Sequence, residues 1–424
     1  MTGPQNSDAY KNYTYDMFMF SMGDGLDEID AFNEWVEHAQ RDRLYCFEAA
    51  RTGTQKTLVQ IQRETGEVLD VLNFSSYNYL GLGYHPEVIR AAQEAIGKFG
   101  LGAASSPVIS GTYSIHKEFE KALIEFYDLP DCGVTLFSSG YGANMGTIPS
   151  FVQPGHHIVM DQASHMSIME AARLSGARMH FFPHNDPARL ETLLKKLSAD
   201  QTRVLVCAEG VYSSDGDFGR LGEIVPLAKK YGAYVLVDEA HSSLIAGEKG
   251  RGVAEMQGVL DRVDLHIITF SKSFAGVGGA LIANKKITQY VNWYAKCRLF
   301  SCALDPGVTG GMLKVLELAR GPEGQQRRKR IRENADYLRE LLQGKVELGA
   351  SQSWIVTVIY RRERITLEVY DFIQRNGLDA SIMEFPAVPK NEARFRMFVT
   401  SEHTRPQLER AAEIVLAAAR HFKF

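Results

Sequence analysis

Apolar residues gather in short unbroken runs separated by longer stretches of mixed character. Five such runs are Gly133-Val134-Thr135-Leu136-Phe137, His157-Ile158-Val159-Met160, Val204-Leu205-Val206-Cys207, Tyr234-Val235-Leu236-Val237 and His266-Ile267-Ile268-Thr269. A strand covered on both faces has no reason to alternate apolar with polar residues, so these runs predict buried strands. Helical stretches lie between them. The alternation predicts an α/β fold with a mostly parallel central sheet and helices on both faces.

The two ends of the chain read differently. Leu26, Ile29, Phe32 and Val36 recur at helical spacing among acidic residues, which predicts an amphipathic helix over residues 26–44. Thr52-Gly53-Thr54 breaks the pattern. After Pro306 a charged helical stretch, residues 323–342, leads to strand-like runs at Trp354-Ile355-Val356-Thr357-Val358-Ile359 and Phe395-Arg396-Met397-Phe398-Val399. A last helix starts at Thr404-Arg405-Pro406-Gln407, which fits a capping box, and carries the apolar stripe Leu408, Ala412, Val415, Ala419, Phe422. These features divide the chain into an N-terminal helical extension (1–60), a large α/β domain (61–305) and a small C-terminal α+β domain (306–424).

Bulk composition narrows the class. With 45% apolar and 23% charged residues the chain is an ordinary globular one, and a formal net charge of -4 without a basic run argues against nucleic acid as partner. Five cysteines stand without C-x-x-C spacing, so neither a disulfide framework nor a metal site is indicated and a reducing cytoplasm is expected. No apolar stretch is long enough to predict a transmembrane helix. The run Met17-Phe18-Met19-Phe20 is greasy for a terminus and reads as a contact patch, on the body or a partner subunit, or else as a lip facing membrane or acyl chain.

Each buried run ends abruptly in polar or glycine residues: Ser138-Ser139-Gly140-Tyr141, Asp161, Glu209-Gly210, Asp238-Glu239-Ala240-His241 and Ser271-Lys272. In open α/β sheets ligands collect outside the carboxyl ends of the strands, so the five ends describe one site assembled from distant sequence. A lysine just past a buried strand, here Lys272, is either an ordinary surface residue or an amine that desolvation keeps neutral for Schiff-base chemistry. Asp238 is either a helix cap or the carboxylate that keeps a pyridine nitrogen protonated, with His241 three residues on to meet the ring's phenolic oxygen. Ser139-Gly140-Tyr141-Gly142 is either a plain turn or a phosphate seat at a helix start. His165 is either structural or stacked on the face of a flat cofactor.

Together these motifs resemble the α-oxoamine synthases, a family of fold-type I pyridoxal-phosphate (PLP) enzymes that includes serine palmitoyltransferase and 8-amino-7-oxononanoate synthase. The resemblance runs from about Asn73 to Thr404. It rests on Asn73-Phe74-Ser75-Ser76-Tyr77-Asn78-Tyr79-Leu80-Gly81-Leu82, Phe137-Ser138-Ser139-Gly140-Tyr141, Ser164-His165-Met166-Ser167 and His184-Asn185-Asp186. Glu209-Gly210-Val211-Tyr212-Ser213, Val237-Asp238-Glu239-Ala240-His241-Ser242, Thr269-Phe270-Ser271-Lys272-Ser273 and Arg394-Phe395-Arg396 complete it. The resemblance implies that Lys272 is the Schiff-base lysine and that Asp238 pairs with the pyridine nitrogen. It puts His241 at the ring oxygen, His165 on the ring face, Ser139, Gly140, Tyr141, Thr269 and Ser271 around the phosphate, and Ser213 close by. Arg396 takes the amino acid's carboxylate and Asn78 faces the substrate. The implied reaction is a decarboxylating condensation of serine, alanine or glycine with an acyl thioester, on CoA or on an acyl carrier protein, in a homodimer.

Two departures bear on subtype. Gly100-Leu101-Gly102-Ala103-Ala104-Ser105-Ser106-Pro107 stands where many members have a glycine-serine run ending in arginine, and Met383-Glu384-Phe385-Pro386 places an acid where bacterial serine palmitoyltransferases resemble Ala-Arg-Pro-Pro. The wording of Tyr77-Asn78-Tyr79 and Asp238-Glu239-Ala240-His241-Ser242 still leans toward serine palmitoyltransferase. A sibling synthase using a carrier-bound acyl group, or one acting like 8-amino-7-oxononanoate synthase or aminoketobutyrate ligase, is the alternative. A nicotinamide dehydrogenase would need G-x-G-x-x-G after its first strand, a context that neither Gly100-Leu101-Gly102 nor Gly276-Val277-Gly278 has. A non-catalytic partner subunit would lack the lysine that stands at 272.

Overall fold

The computed structural model describes residues 26–424 with the exception of Pro386, so the run Met17-Phe18-Met19-Phe20 lies outside the described residues. Along the chain the strands are β1 (Ala50–Arg51), β2 (Leu58–Gln62), β3 (Val68–Phe74), β4 (Cys132–Phe137), β5 (His157–Asp161), β6 (Arg178–Phe182), β7 (Val204–Glu209), β8 (Tyr234–Asp238), β9 (Leu265–Thr269), β10 (Gly279–Asn284), β11 (Ile355–Arg361), β12 (Leu378–Met383) and β13 (Ala393–Phe398). The first seven helices are α1 (Asp27–Arg41), α2 (Pro86–Phe99), α3 (Ser114–Tyr127), α4 (Gly140–Phe151), α5 (Met166–Ser175), α6 (Pro187–Leu197) and α7 (Leu221–Lys230). They are followed by α8 (Val253–Met256), α9 (Lys285–Tyr294), α10 (Lys296–Leu299), α11 (Pro306–Arg320), α12 (Pro322–Leu342), α13 (Thr366–Arg375) and α14 (Arg405–Phe422). Among the described residues no helix is long and apolar enough to cross a membrane.

The chain forms two compact units, one of residues 26–76, Ser214–Gly216 and Ile331–Phe424, the other of Tyr77–Ser213 and Asp217–Arg330. The second unit holds a seven-stranded sheet in the order β4-β10-β9-β8-β7-β5-β6. Its strands run parallel apart from β10, which is antiparallel to both β4 and β9. Every residue of β4, β5, β7 and β9 is buried, which is why their sequences do not alternate: both faces are covered. Residues such as Leu205, Val206 and Leu236 are wholly inside, each contributing about 1.5–3 kcal/mol by burial.

The sheet contains two strands beyond the five apolar runs. Edge strand β6 is only partly covered, so it keeps polar residues such as Arg178 and His180 and lacks an apolar signature. Strand β10 opens on Gly279-Ala280 because a β-carbon at Gly279 would come within 2.7 Å of the Gly140 Cα. Its small residues are a packing requirement.

The first unit holds a six-stranded sheet in the order β1-β2-β3-β12-β13-β11. Its one parallel pairing joins β3 to β12, strands separated by most of the chain. The helix expected over residues 26–44 is α1, which buries Trp35 and Ala39 against Phe32, Val36, Tyr45, Phe47 and Leu367. At the start of α14 the Thr404 N–H donates to Gln407 Oε1 at 3.0 Å and the Thr404 side chain accepts from the Gln407 backbone, the anticipated capping box.

Candidate active site

Strands β7 and β8 end level with each other, Glu209 opposite Asp238. Asp238 is 6% exposed and collects two donors: Asn144 Nδ2 at 2.7 Å from α4, and the Ala240 N–H at 2.9 Å. Three residues on, His241 Nδ1 shares a 2.7 Å hydrogen bond with the Tyr79 hydroxyl, which anchors the imidazole. The Tyr77 ring stands edge-on to the same imidazole, centroids 5.8 Å apart. Lys272, half-buried just past β9, places its Nζ 5.8 Å from the centroid of that Tyr77 ring. Lys272, Tyr77, His241 and Tyr79 are thus linked side chain to side chain, and Asp238, three residues before His241, is tied to α4 through Asn144.

Helix α4 begins where β4 ends. The Ser139 hydroxyl accepts the Gly142 N–H at 2.8 Å and caps it. Gly140 is required here because a β-carbon would sit 1.9 Å from Thr269 Oγ1 at the end of β9. That approach puts the first turn of α4 beside Thr269, and amides in a helix's first turn have no partner within the helix. Ser271 is exposed two residues beyond Thr269. The Tyr141 hydroxyl donates to Glu170, and that bond, with a smaller part from burial, pushes its pKa up to about 12.

His165 caps α5. Its Nδ1 accepts the Ser167 N–H at 3.3 Å and lies 2.8 Å from Ser167 Oγ. Accepting at Nδ1 leaves the proton on Nε2, so the ring presents an Nε2–H donor. The Tyr141 ring meets it edge-on with centroids 6.2 Å apart. Asn78 is half-buried and its Oδ1 accepts the Gly83 N–H at 3.2 Å, while Ser213 is half-buried after the fully buried Tyr212.

Several contributors had no role assigned to them from the sequence. Asn144, Tyr77 and Tyr79 hold the site's residues in place from turns and from inside a helix. Glu209 was visible as the polar end of an apolar run and as a motif residue, without a role. It is 4% exposed and accepts the His165 backbone N–H. Burial first, then the neighbouring Asp238, pushes its carboxyl well above the usual carboxylate range.

Behind these residues lies a second cluster. His184 Nδ1 meets Asp161 Oδ1 at 2.9 Å and its Nε2 meets Asp217 Oδ2 at 3.0 Å. Burial opposes charge on this imidazole, but the hydrogen bonds and charges of the two aspartates win and raise its pKa from 6.5 to about 10. A folded pKa above the unfolded one means the imidazolium stabilises the fold fully below pH 6.5 and loses that contribution as pH rises through about 10. The melting temperature of a His184→Asn variant should therefore fall furthest short of wild type below pH 6.5, and the gap should close toward pH 10. A gap independent of pH, measured calorimetrically, would refute the ion triad.

In the other unit, Arg396 lies on β13 between β11 and β12. It is largely buried, donates from Nη2 to Ser381 Oγ at 3.0 Å, and lays its guanidinium 5.0 Å from the Phe398 centroid. Arg394, on the same strand, is held by Asp215 and Glu392.

The sequence profile described as "Aminotransferase class I and II" matches residues 69–415. Over 86% of this chain and 93% of the other, the sequence is 36% identical to an 8-amino-7-oxononanoate synthase of Thermoanaerobacter pseudethanolicus. Over 93% of this chain and 96% of the other, it is 33% identical to a serine palmitoyltransferase of Sphingobacterium spiritivorum. A solved serine palmitoyltransferase from S. paucimobilis superposes with a TM-score of 0.88 at 31% identity, covering 95% of this chain and 100% of that one.

Proposed function

Because the chain belongs to the aminotransferase class I and II family and, within it, to the α-oxoamine synthases, we propose that it is a PLP-dependent acyltransferase. It joins serine, alanine or glycine to an acyl thioester with loss of carbon dioxide and yields an α-amino ketone. The observation that carries this reading is the convergence of Lys272, Asp238, His241 and the Gly140 turn on the carboxyl ends of one sheet. The S. paucimobilis relative has been solved with PLP bound.

The residues present suit PLP. Gly140 and Thr269 approach so closely that only a bare backbone fits, as a phosphate seat requires. The Asn144 Oδ1 and Ser273 Oγ atoms, beside Asp238 and Lys272, are buried without a hydrogen-bond partner among the described residues. Ser139, Gly140, Tyr141, Thr269 and Ser271 would hold the phosphate, with Ser213 near the ring. When bound, PLP supplies a cationic ring that draws off the electron pair of the amino acid's Cα–H bond.

The chain's own groups do the rest. Asp238 keeps the ring nitrogen protonated, and His241, oriented by Tyr79, addresses the phenolic oxygen. Lys272 Nζ takes the proton from the amino acid's α-carbon. That carbon then bonds to the acyl carbon as the C–S bond breaks and the thiol leaves with a proton; the carboxylate departs as carbon dioxide, and the α-carbon takes up a proton in its place to give the α-amino ketone. His165 covers the ring face and offers its Nε2–H to the substrate's oxygens. Arg396 takes the carboxylate with its planar fork of donors, an assignment that rests on the Arg394-Phe395-Arg396 motif. Asn78 faces the substrate.

The working unit in this reading is a homodimer in the cytoplasm. Exposed apolar side chains at Leu101 (78%), Ile109 (80%) and Phe300 (86%) support association, and five free thiols suit a reducing compartment. Purified protein given PLP should show a visible absorption band that borohydride abolishes. It should release thiol when offered one of the three amino acids and an acyl group on CoA or on a carrier protein. Failure to bind PLP at saturating concentration would sink the reading, and the donor panel separates the serine palmitoyltransferase-like reaction from its siblings.

A further inference from the structure

Two buried carboxyl groups stand side by side at the floor of this site, and the condensation uses only one. Glu209 and Asp238 are register partners on adjacent parallel strands, whose backbones lie about 4.8 Å apart, and they are 4% and 6% exposed. Their surroundings differ. Asp238 receives two N–H donors, from Asn144 and Ala240, whereas the hydrogen bond on the Glu209 side chain comes from the backbone amide of His165. We propose that Glu209 is a positioning residue of the PLP site, held as a neutral carboxylic acid beside the Asp238 carboxylate, and that its grip on the His165 amide sets where the His165 imidazole lies.

Neighbouring like charges taken out of water cannot both persist, and the proton settles on the group with the poorer donors. Burial is the largest influence on Glu209, and its charged neighbours divide. Asp238 on β8 and Asp161 at the end of β5 disfavour a second anion, and only the His165 amide and Lys272 favour one. Tyr212, whose hydroxyl lies 3.4 Å from the Glu209 amide, is pushed well up by burial and then by Asp161 and Glu209, and stays neutral. The neutral acid leaves Asp238 as the sole anion for the cofactor's ring nitrogen. Its carbonyl oxygen meanwhile accepts from the residue that caps α5, and shifting that cap would shift the imidazole.

This inference rests on the proposed function, so its test reads out separately from it. Infrared difference spectra of cofactor-free wild type against Glu209→Gln, at neutral pH, should contain a protonated-carboxyl band that the variant lacks. Identical spectra in that region would overturn the proposal, whatever the enzyme's activity. In the PLP-loaded enzyme, Glu209→Ala should lower kcat by about 10²-fold, the scale of a misplaced catalytic group, with a smaller change in KM for the amino acid. Glu209→Gln, which keeps both neutrality and a carbonyl acceptor, should rescue most of that loss. If the glutamine variant is as impaired as the alanine variant, the site needs an anion there and the proposal fails. It fails equally if the alanine variant keeps wild-type kcat. Binding of PLP to wild type, scored by the visible band, tests the underlying function independently.

Discussion

Replacing Lys272 with alanine is expected to remove condensation activity, with kcat falling at least about 10⁴-fold, the upper range for a general base. The visible band of PLP-treated protein should vanish with it. Lys272 reaches the site from the loop after β9, and its Nζ lies 5.8 Å from the Tyr77 ring centroid. Lys272→Arg sharpens the test: it keeps the cation and much of the volume, but a guanidinium stays protonated and cannot take a proton from carbon. Both variants should therefore be colourless and inactive while melting near the wild-type temperature, since a half-buried lysine contributes little to packing. Substantial turnover in either variant, measured by thiol release, would remove Lys272 from the mechanism.

Asp238→Asn should lower kcat by roughly 10²–10³-fold, the scale of losing one preorganised electrostatic partner. The amide is the same size and still accepts a hydrogen bond, so Asn144 and Ala240 remain partly satisfied and the fold should survive. What disappears is the negative charge that holds a proton on the cofactor's ring nitrogen, and with it the ring's capacity to draw electrons from the α-carbon. The variant should still bind PLP and still turn yellow through Lys272. Measuring kcat beside the absorption spectrum separates this outcome from simple loss of cofactor. Wild-type kcat would show that Asp238 is only the local cap its Ala240 hydrogen bond also makes it.

Much of this site was legible because buried strands are written continuously. The run at Tyr234–Asp238 announces β8 by lacking alternation, and the polar residue that stops it falls at the sheet's carboxyl edge. Lys272, Asp238 and the Ser139-Gly140-Tyr141 turn could all be found in this way. Glu209 stood at such an edge too, but its part was hidden. Only the register that sets it against Asp238 and the fold that brings the His165 amide to it give the carboxyl a reason to be neutral. Tyr79 was visible as a motif residue, yet its bond to His241 spans two distant segments. Gly140 looked like a turn glycine, whereas its necessity comes from Thr269 on another strand.

The amino-acid sequence alone determined the α/β class, five of the seven strands of the large sheet, the family and the roster of polar strand ends. The class, the strands and their ends follow from local periodicity and residue type, and the family from the motifs' resemblance to known members. The tertiary structure alone decided the order β4-β10-β9-β8-β7-β5-β6, the parallel pairing of β3 with β12, and which polar groups share a proton or a hydrogen bond. Pairing and proton sharing depend on distances between groups remote in sequence. Burial then makes those distances count, by stripping away the water that would otherwise let each group behave as it does alone.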